Sequence, residues 1–466
     1  VIEVALSAAA EAMGAERTGA DGLFVGVATD SRKDVSGRLF VPLVGENMDG
    51  HDFVEQALER GAAAFAWSRT RPVPPALQAW PHLLVDDTLR ALAALARAWR
   101  LRVGARVVGI TGSNGKTSTK DMIAAALASR WRVHRTAGNL NGQIGVPLTL
   151  LACPRDAQVI VLEMGISVPG EMARLCATAV PDIAVITMIG EAHLAQFGSV
   201  DGIAREKWGI VQSLRSGGLA VLPHDCPPLA NRPLPEGVRV RTFGEDARAD
   251  VRMSAYAQTA TGSRALLPDA GMELRLPVAG RHLATNALAA IAVADELGVA
   301  RADAVTALRR VELTGARMEM VRDKRGRIWI NDAYNSAPAS VQAALTVLSE
   351  LPVRRRIAVL GDMLELGEES ARLHAQIGRA AALARVDDLL CIGAYAADIA
   401  DAARATQANV AVCATADVAA ARKELERLLD GADGDCAVLV KGSRKLALET
   451  LVAAFVDETG RRGASG

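Results

Sequence analysis

The chain has 466 residues, half of them hydrophobic but only 3% aromatic, and its 53 basic side chains are matched by 53 acidic ones. That length predicts about three domains at ~150 residues each, and the charge balance removes any electrostatic case for nucleic acid or an anionic membrane as partner. Six scattered cysteines without C-x-x-C spacing exclude a disulfide framework or zinc site and fit reduced, mostly buried thiols of a cytosolic protein.

Residues 1–102 mix short strands and helices and close with an Ala/Leu/Arg-rich helix over Leu89–Leu101. The opening Val-Ile-Glu-Val-Ala-Leu-Ser lacks a basic n-region, so no signal peptide is expected. No window reaches the ~18 uninterrupted apolar residues of a membrane span. Residues 103–312 alternate strand and helix, with strands expected at Val107–Thr111, Val159–Leu162, Ile183–Thr187 and Leu219–Leu222. A polar, β-leaning stretch over 235–278 and a helix at Leu283–Leu297 follow. From 313 to 466 a second alternation places strands at Ile328–Ile330, Ile357–Leu360, Leu389–Ile392 and Val438–Val440, with helices such as Ala339–Leu348 and Val418–Leu429 between them. This pattern predicts an α/β protein of three domains: a small α/β N-terminal domain, a central parallel-sheet domain and a C-terminal parallel-sheet domain.

The most informative segment follows the first central strand: Thr111-Gly-Ser-Asn-Gly-Lys-Thr117, then a helical run to Leu127. Strand, glycine-rich turn and helix start together form an anion cradle. Backbone N–H groups of Gly112, Ser113, Asn114, Gly115 and Ser118 face phosphate oxygens, Lys116 supplies charge, and the Thr117 hydroxyl can hold Mg²⁺. Ile110 stands where the usual motif has its first glycine.

In parallel sheets, ligands bind beyond the carboxyl ends of strands. Glu163 directly follows Val159–Leu162, where such NTPases place a metal-organising carboxylate, and His193 lies in the loop after the next strand. Asp332, Gly361-Asp362, Gly393 and Lys441-Gly-Ser443 each follow a strand of the third domain. Two such edges facing one another would enclose a bisubstrate cleft. Lys207 shares the apolar face of the helix Gly202–Leu214 with Ile203, Ile210, Val211 and Leu214. It has two readings: a stem packed on the core with the ammonium reaching water, or a lysine carbamylated by CO₂ into a carboxylate-like metal ligand. Helix spacing does not choose between them.

Thr111–Thr117, Glu163-Met-Gly165, His193, Lys207 and Gly280-Arg-His-Leu-Ala-Thr-Asn286 occur in the order and spacing of the Mur ligases, and the chain resembles that family nearly end to end. The segments Ala137–Pro147, Asn331–Pro338, Val359–Gly367 and Lys441–Arg444 are similar to the branch that joins D-alanyl-D-alanine to UDP-N-acetylmuramoyl-tripeptide. The resemblance implies a central P-loop ATPase domain and a C-terminal Rossmann-like α/β domain in a monomeric enzyme of peptidoglycan synthesis in the bacterial cytoplasm, with ATP and two Mg²⁺ ions as cofactors and those two molecules as substrates. Lys116 would stabilise the transferring phosphoryl group. Thr117 and Glu163 would hold one Mg²⁺, and His193 with carbamylated Lys207 the other. Asn286 would contact adenine, while Arg317 and Asp332 would reach phosphate and ribose or metal. Asp30, Ser31 and Arg32, with Leu39–His51, would bind the UDP end. Asn139 and Gln143 would lie beside the muramoyl part, and Tyr334 and Asn335 would also face substrate. Leu283 departs from the family's Gly-x-His-Asn and removes one polar group near the nucleotide. The implied chemistry is phosphorylation of a carboxylate, followed by amine attack on the acyl phosphate. A ligase adding the third peptide residue and a folylpolyglutamate synthetase fit the Asn331–Pro338 and Gly361–Gly367 signatures less well. A nucleotide switch leaves Glu163, His193 and Lys207 unexplained.

Overall fold

The computed structural model describes residues 1–45, 47–192, 194–259, 261–406, 409–431 and 434–456, so His193 lies outside the described residues. At its centre is a seven-stranded sheet paired in parallel throughout. Arg106–Thr111 lies inside it, between Val159–Glu163 and Ile183–Ile186. The chain adds strands first on one side of Arg106–Thr111 and then on the other, which makes its carboxyl end a topological switch point.

Period-two alternation explains why these strands read as nearly unbroken apolar runs. Val108, Ile110, Val159 and Val161 enter one core with the helices Lys116–Leu127 and Arg281–Glu296. Val107, Ile160 and Leu162 enter the opposite core with Glu171–Ala179 and Val200–Gln212. Both faces are covered, as a parallel sheet requires. The β-leaning stretch continues this sheet with Arg239–Gly244 and Val251–Arg252, then forms an antiparallel sheet of Ser254–Thr259, Gly262–Leu267 and Met272–Leu276.

The N-terminal part carries a five-stranded sheet and the helix Thr88–Val103. Asp87 caps this helix by accepting from Arg90 N–H, and Gly104 ends it at φ +71°. Its Leu92, Leu95, Ala96 and Trp99 share one apolar core with Val146, Leu150 and Leu175 of the central part. Arg100 extends the joint: its guanidinium donates to the Ala179 and Val180 carbonyls and to Asp182, which accepts in turn from Val107 N–H (2.8 Å).

The C-terminal part is a six-stranded sheet in the order Glu319–Arg322, Ile328–Asn331, Cys436–Lys441, Arg355–Gly361, Asp388–Ile392, Ala411–Thr415. Only its first pair is antiparallel. Sequence patterning misses the two outer strands here and Val133–Arg135 in the central sheet. Each sits at an edge and is partly exposed, so it carries no continuous apolar run. All six cysteines are unpaired, and Cys153, Cys176, Cys391 and Cys436 are buried. Among the described residues no helix is long and apolar enough to cross a membrane.

His374 fixes the loop after Arg355–Gly361. Its Nε2 accepts from Met363 N–H (2.8 Å), which leaves the Nδ1 proton to donate to the Ser370 carbonyl (2.7 Å), and its ring stacks on Tyr395. Burial holds its pKa below the ordinary 6.5. As pH falls through that value the unfolded chain takes up the proton first, so stability is lost from there downward. His374→Gln, whose amide both accepts and donates, should therefore melt with a smaller pH dependence than the parent between about pH 7 and pH 5. Parallel curves in thermal melts would contradict this.

Candidate active site

A cleft of about 310 Å³ opens where the carboxyl ends of the two large sheets meet. Ser113–Ser118, Asn139, Asn141 and Glu163 line one wall, and Arg317, Asp332, Tyr334, Asn335 and Lys441 the other. The two ligand-facing edges expected from the sequence thus enclose one space.

The glycine-rich turn is tightly constrained. Gly112 has φ +151°, and a Cβ there would lie 1.8 Å from Thr187 Oγ1. At Gly115 (φ +81°) a Cβ would come within 2.8 Å of Asn286 Nδ2. Neither position tolerates a side chain. Position 110 is different: it is still strand, paired with Glu163 and Val185. The absent first glycine is therefore a β residue in the core and takes no part in the turn. Ser113 Oγ donates to the Gly190 carbonyl (2.9 Å), tying the turn to the next strand's loop.

Lys116 Nζ donates to the Gly112 carbonyl (2.9 Å). Burial lowers its pKa, Glu163 opposes that, and the Arg317 cation adds to it. Thr117 Oγ1 donates to Glu163 Oε2 (2.8 Å), and Asn141 Nδ2 donates to Glu163 Oε1 (2.8 Å). Two oxygens bound at right angles to one Mg²⁺ at ~2.1 Å stand ~3.0 Å apart, so the hydroxyl and carboxylate have the chemistry and separation for that ion.

On the other wall, Asp332 accepts from Lys441 Nζ (2.6 Å) and from Met318 N–H (3.1 Å), and Lys441 also donates to the Asn335 carbonyl (2.9 Å). The Arg317 guanidinium lies 4.2 Å from the Tyr334 ring centroid, and its Nε is buried without a partner among the described residues. Burial pushes the His282 imidazole down to about 4, against the pull of Asp332 and with the help of Lys441.

Asn286 packs against Gly115, so it adjoins the phosphate turn itself. Leu283 lines the cleft as a buried apolar group. Asp30, Ser31 and Arg32 are not brought to this cleft. Arg32 is paired with Asp30 (2.9 Å), and buried Ser31 donates to Gln56. Gln143 accepts from Arg174 and donates to Glu171, facing a second cavity beside Arg90 and Pro147. Lys207 is only 1% exposed, which rules out the snorkelling reading. Burial first and the Lys116 cation second hold its pKa well below 10.5, with Glu206 opposing.

Sequence reasoning left Asn141, Glu171 and His282 out of the candidate site, and gave Lys441 only as a polar strand end on the ligand-facing edge, without a role. Asn141, His282 and Lys441 belong to motifs already recognised, and for Lys441 its place directly behind a strand was the available signal. The Asn141 contact with Glu163 spans 22 residues and leaves no periodic trace.

Three family models match the chain: Mur ligase family, catalytic domain over residues 24–100; Mur ligase middle domain over 110–294; and Mur ligase, glutamate ligase domain over 316–444. UDP-N-acetylmuramoyl-tripeptide–D-alanyl-D-alanine ligase of Bacillus subtilis (strain 168) is 39% identical, the match covering 93% of each chain. The Escherichia coli (strain K12) protein of the same description is 37% identical over 98% of this chain and 99% of its own. A crystal structure of MurF from Acinetobacter baumannii superposes with a TM-score of 0.89 at 30% identity, over 98% of this chain and 99% of that one. MurF ligase from Thermotoga maritima in complex with ADP gives 0.82 at 28% identity, over 95% and 98%.

A buried ammonium without strong compensation is a cost to folding. Lys207→Met should therefore keep the melting temperature within about 2 °C of the parent or raise it. A large fall would show that the amine holds a stabilising contact.

Proposed function

The chain belongs to the Mur ligase family, and on that premise we propose the following reaction and division of labour. The chain is an ATP-dependent ligase that joins D-alanyl-D-alanine to UDP-N-acetylmuramoyl-tripeptide, giving the pentapeptide, ADP and phosphate. The observation that carries this reading is the two-walled cleft: a phosphate turn with Lys116 and the Thr117–Glu163 pair faces Arg317, Asp332 and Lys441. A switch that only binds nucleotide has no need of the second wall.

A carboxylate approaches a polyanionic phosphate poorly unless charge is neutralised on both. The turn Gly112–Thr117 offers backbone N–H groups to the phosphates, and Ser118 extends the set. Lys116 and Arg317 bring positive charge from opposite walls to the transferring group. Thr117 and Glu163 would hold one Mg²⁺, which when bound supplies further neutralisation. The low pKa of Lys207 keeps a fraction of its amine neutral and able to add to CO₂, forming an N–C bond and losing a proton. The resulting carbamate would serve a second Mg²⁺ together with His193. Asn286 borders the nucleotide, and Asp332, held by Lys441, orients the far wall.

The acyl phosphate made from the peptide carboxylate is sensitive to water, and the opposed walls limit its access. The dipeptide amine then attacks, and phosphate leaves. Residues 1–102, with Asp30, Ser31, Arg32 and Leu39–His51, receive the UDP end. Residues 103–312 hold ATP, and residues 313–466 complete the site with Tyr334 and Asn335. Asn139 and Gln143 lie along the path of the muramoyl peptide. We place the enzyme in the cytoplasm as a monomer.

Lys116→Ala should lower ligation by about 10²–10³-fold with an unchanged melting curve, because it removes charge from the reacting group and little from the core. Phosphate release should require the UDP-linked tripeptide and the dipeptide together; turnover with ATP alone would remove the ligase reading. Bicarbonate should stimulate enzyme stripped of CO₂ but leave Lys207→Ala unaffected, and a ¹³C carbamate resonance present in the parent and absent from the variant would check the modification directly.

A further inference from the structure

Arg317 lies on the segment Thr314–Met318, which crosses from the central to the C-terminal part. On the far side this segment is held by Asp332, which accepts from Met318 N–H, and by Tyr334, whose N–H donates to the Ala316 carbonyl (3.3 Å). Gly315 (φ +80°) packs so closely that a Cβ would sit 3.2 Å from the Tyr334 ring. On the near side it is held by Asp121, which is fully buried. Asp121 Oδ2 accepts from Thr314 N–H (2.7 Å), and Oδ1 accepts from Thr314 Oγ1 (3.1 Å) and Arg135 (3.0 Å), with Lys120 Nζ at 3.4 Å.

Asp121 stands on the helix Lys116–Leu127, whose first turn carries Lys116 and Thr117. One rigid element thus bears both the phosphate turn and the anchor of the crossing segment. We propose that Asp121 is a positioning residue: by binding Thr314 it fixes where Arg317 stands relative to Lys116. The tether is needed because Arg317 and Lys116 are like charges lining opposite walls of one cleft. Without it the segment would relax away from the turn, and each binding event would have to bring Arg317 back. With it, two cations are held facing a common gap before the anion arrives. Arg135 and Lys120 already compensate the buried carboxylate. The two bonds to Thr314 therefore add location to a charge whose burial is otherwise supported.

The inference rests on Arg317 meeting the ATP phosphates. The test uses the full-length chain, with the β,γ-imido analogue of ATP and Mg²⁺ as probe, calorimetry for affinity and thermal melts for folding. Asp121→Asn should weaken analogue binding about tenfold, and Thr314→Val, which removes only the hydroxyl bond, about threefold. Both losses should shrink below about twofold in an Arg317→Ala background, since a positioning residue has nothing left to position there. If Asp121→Asn does not fold, Thr314→Val and its double variant decide. Losses that persist undiminished without Arg317, or their absence in folded single variants while Arg317→Ala alone weakens binding, would overturn the positioning role. Arg317→Ala leaving affinity unchanged would instead overturn the phosphate reading of Arg317, and the positioning role with it.

Discussion

Containment of positive charge is the constraint on which this molecule is organised. Lys116, Arg317 and Lys441 line one cleft, and Lys207 is buried close enough to Lys116 for the two cations to oppose one another. Each is contained differently. Lys441 is locked onto Asp332, and Lys116 curls onto its own turn near Glu163. Arg317 lies over Tyr334 and is kept in place through its backbone. Lys207 is buried, and burial together with the Lys116 cation holds its pKa well below 10.5. A polyanionic phosphate chain is the natural complement of such a set. The fold supplies the means of holding it, because carboxyl ends of parallel strands place short loops, and little else, around a shared opening.

What could be read from the sequence follows from this arrangement. Interior strands such as Val159–Glu163 and Cys436–Lys441 are apolar on both faces, so their ends, and the polar residues placed there, were identifiable from composition alone. Edge strands such as Ala411–Thr415 lacked that signal. The turn Gly112–Thr117 was recognisable because its glycines are sterically required, and Ile110 lies outside that turn because the strand still runs through it. Lys207 was visible as an anomaly on an apolar helix face, but only its burial showed that its stem does not carry the ammonium out to water.

Contacts that assemble the site across long separations were not legible. Asp121 meets Thr314 193 residues later, and nothing in the residues around Asp121 announces that partner. Lys441 reaches back 109 residues to Asp332. Such bonds depend on how whole domains dock, which local periodicity does not encode. The placement of Arg32, paired with Asp30 and outside the cleft's lining, belongs to the same class: a motif can be recognised without its spatial relation to the chemistry being known.

The joint made by Trp99, Arg100 and Asp182 has a metrical consequence. Arg100 binds Asp182, and Asp182 binds the first residues of the very strand that ends in the phosphate turn. The N-terminal sheet and the phosphate turn are thus mounted on one continuous solid, and the separation between them is set by packing. Under the proposed binding of the nucleotide-sugar end by that sheet, the ligand must span a distance fixed by packing to present its carboxylate in the cleft. On that reading the molecule acts as a gauge of ligand length.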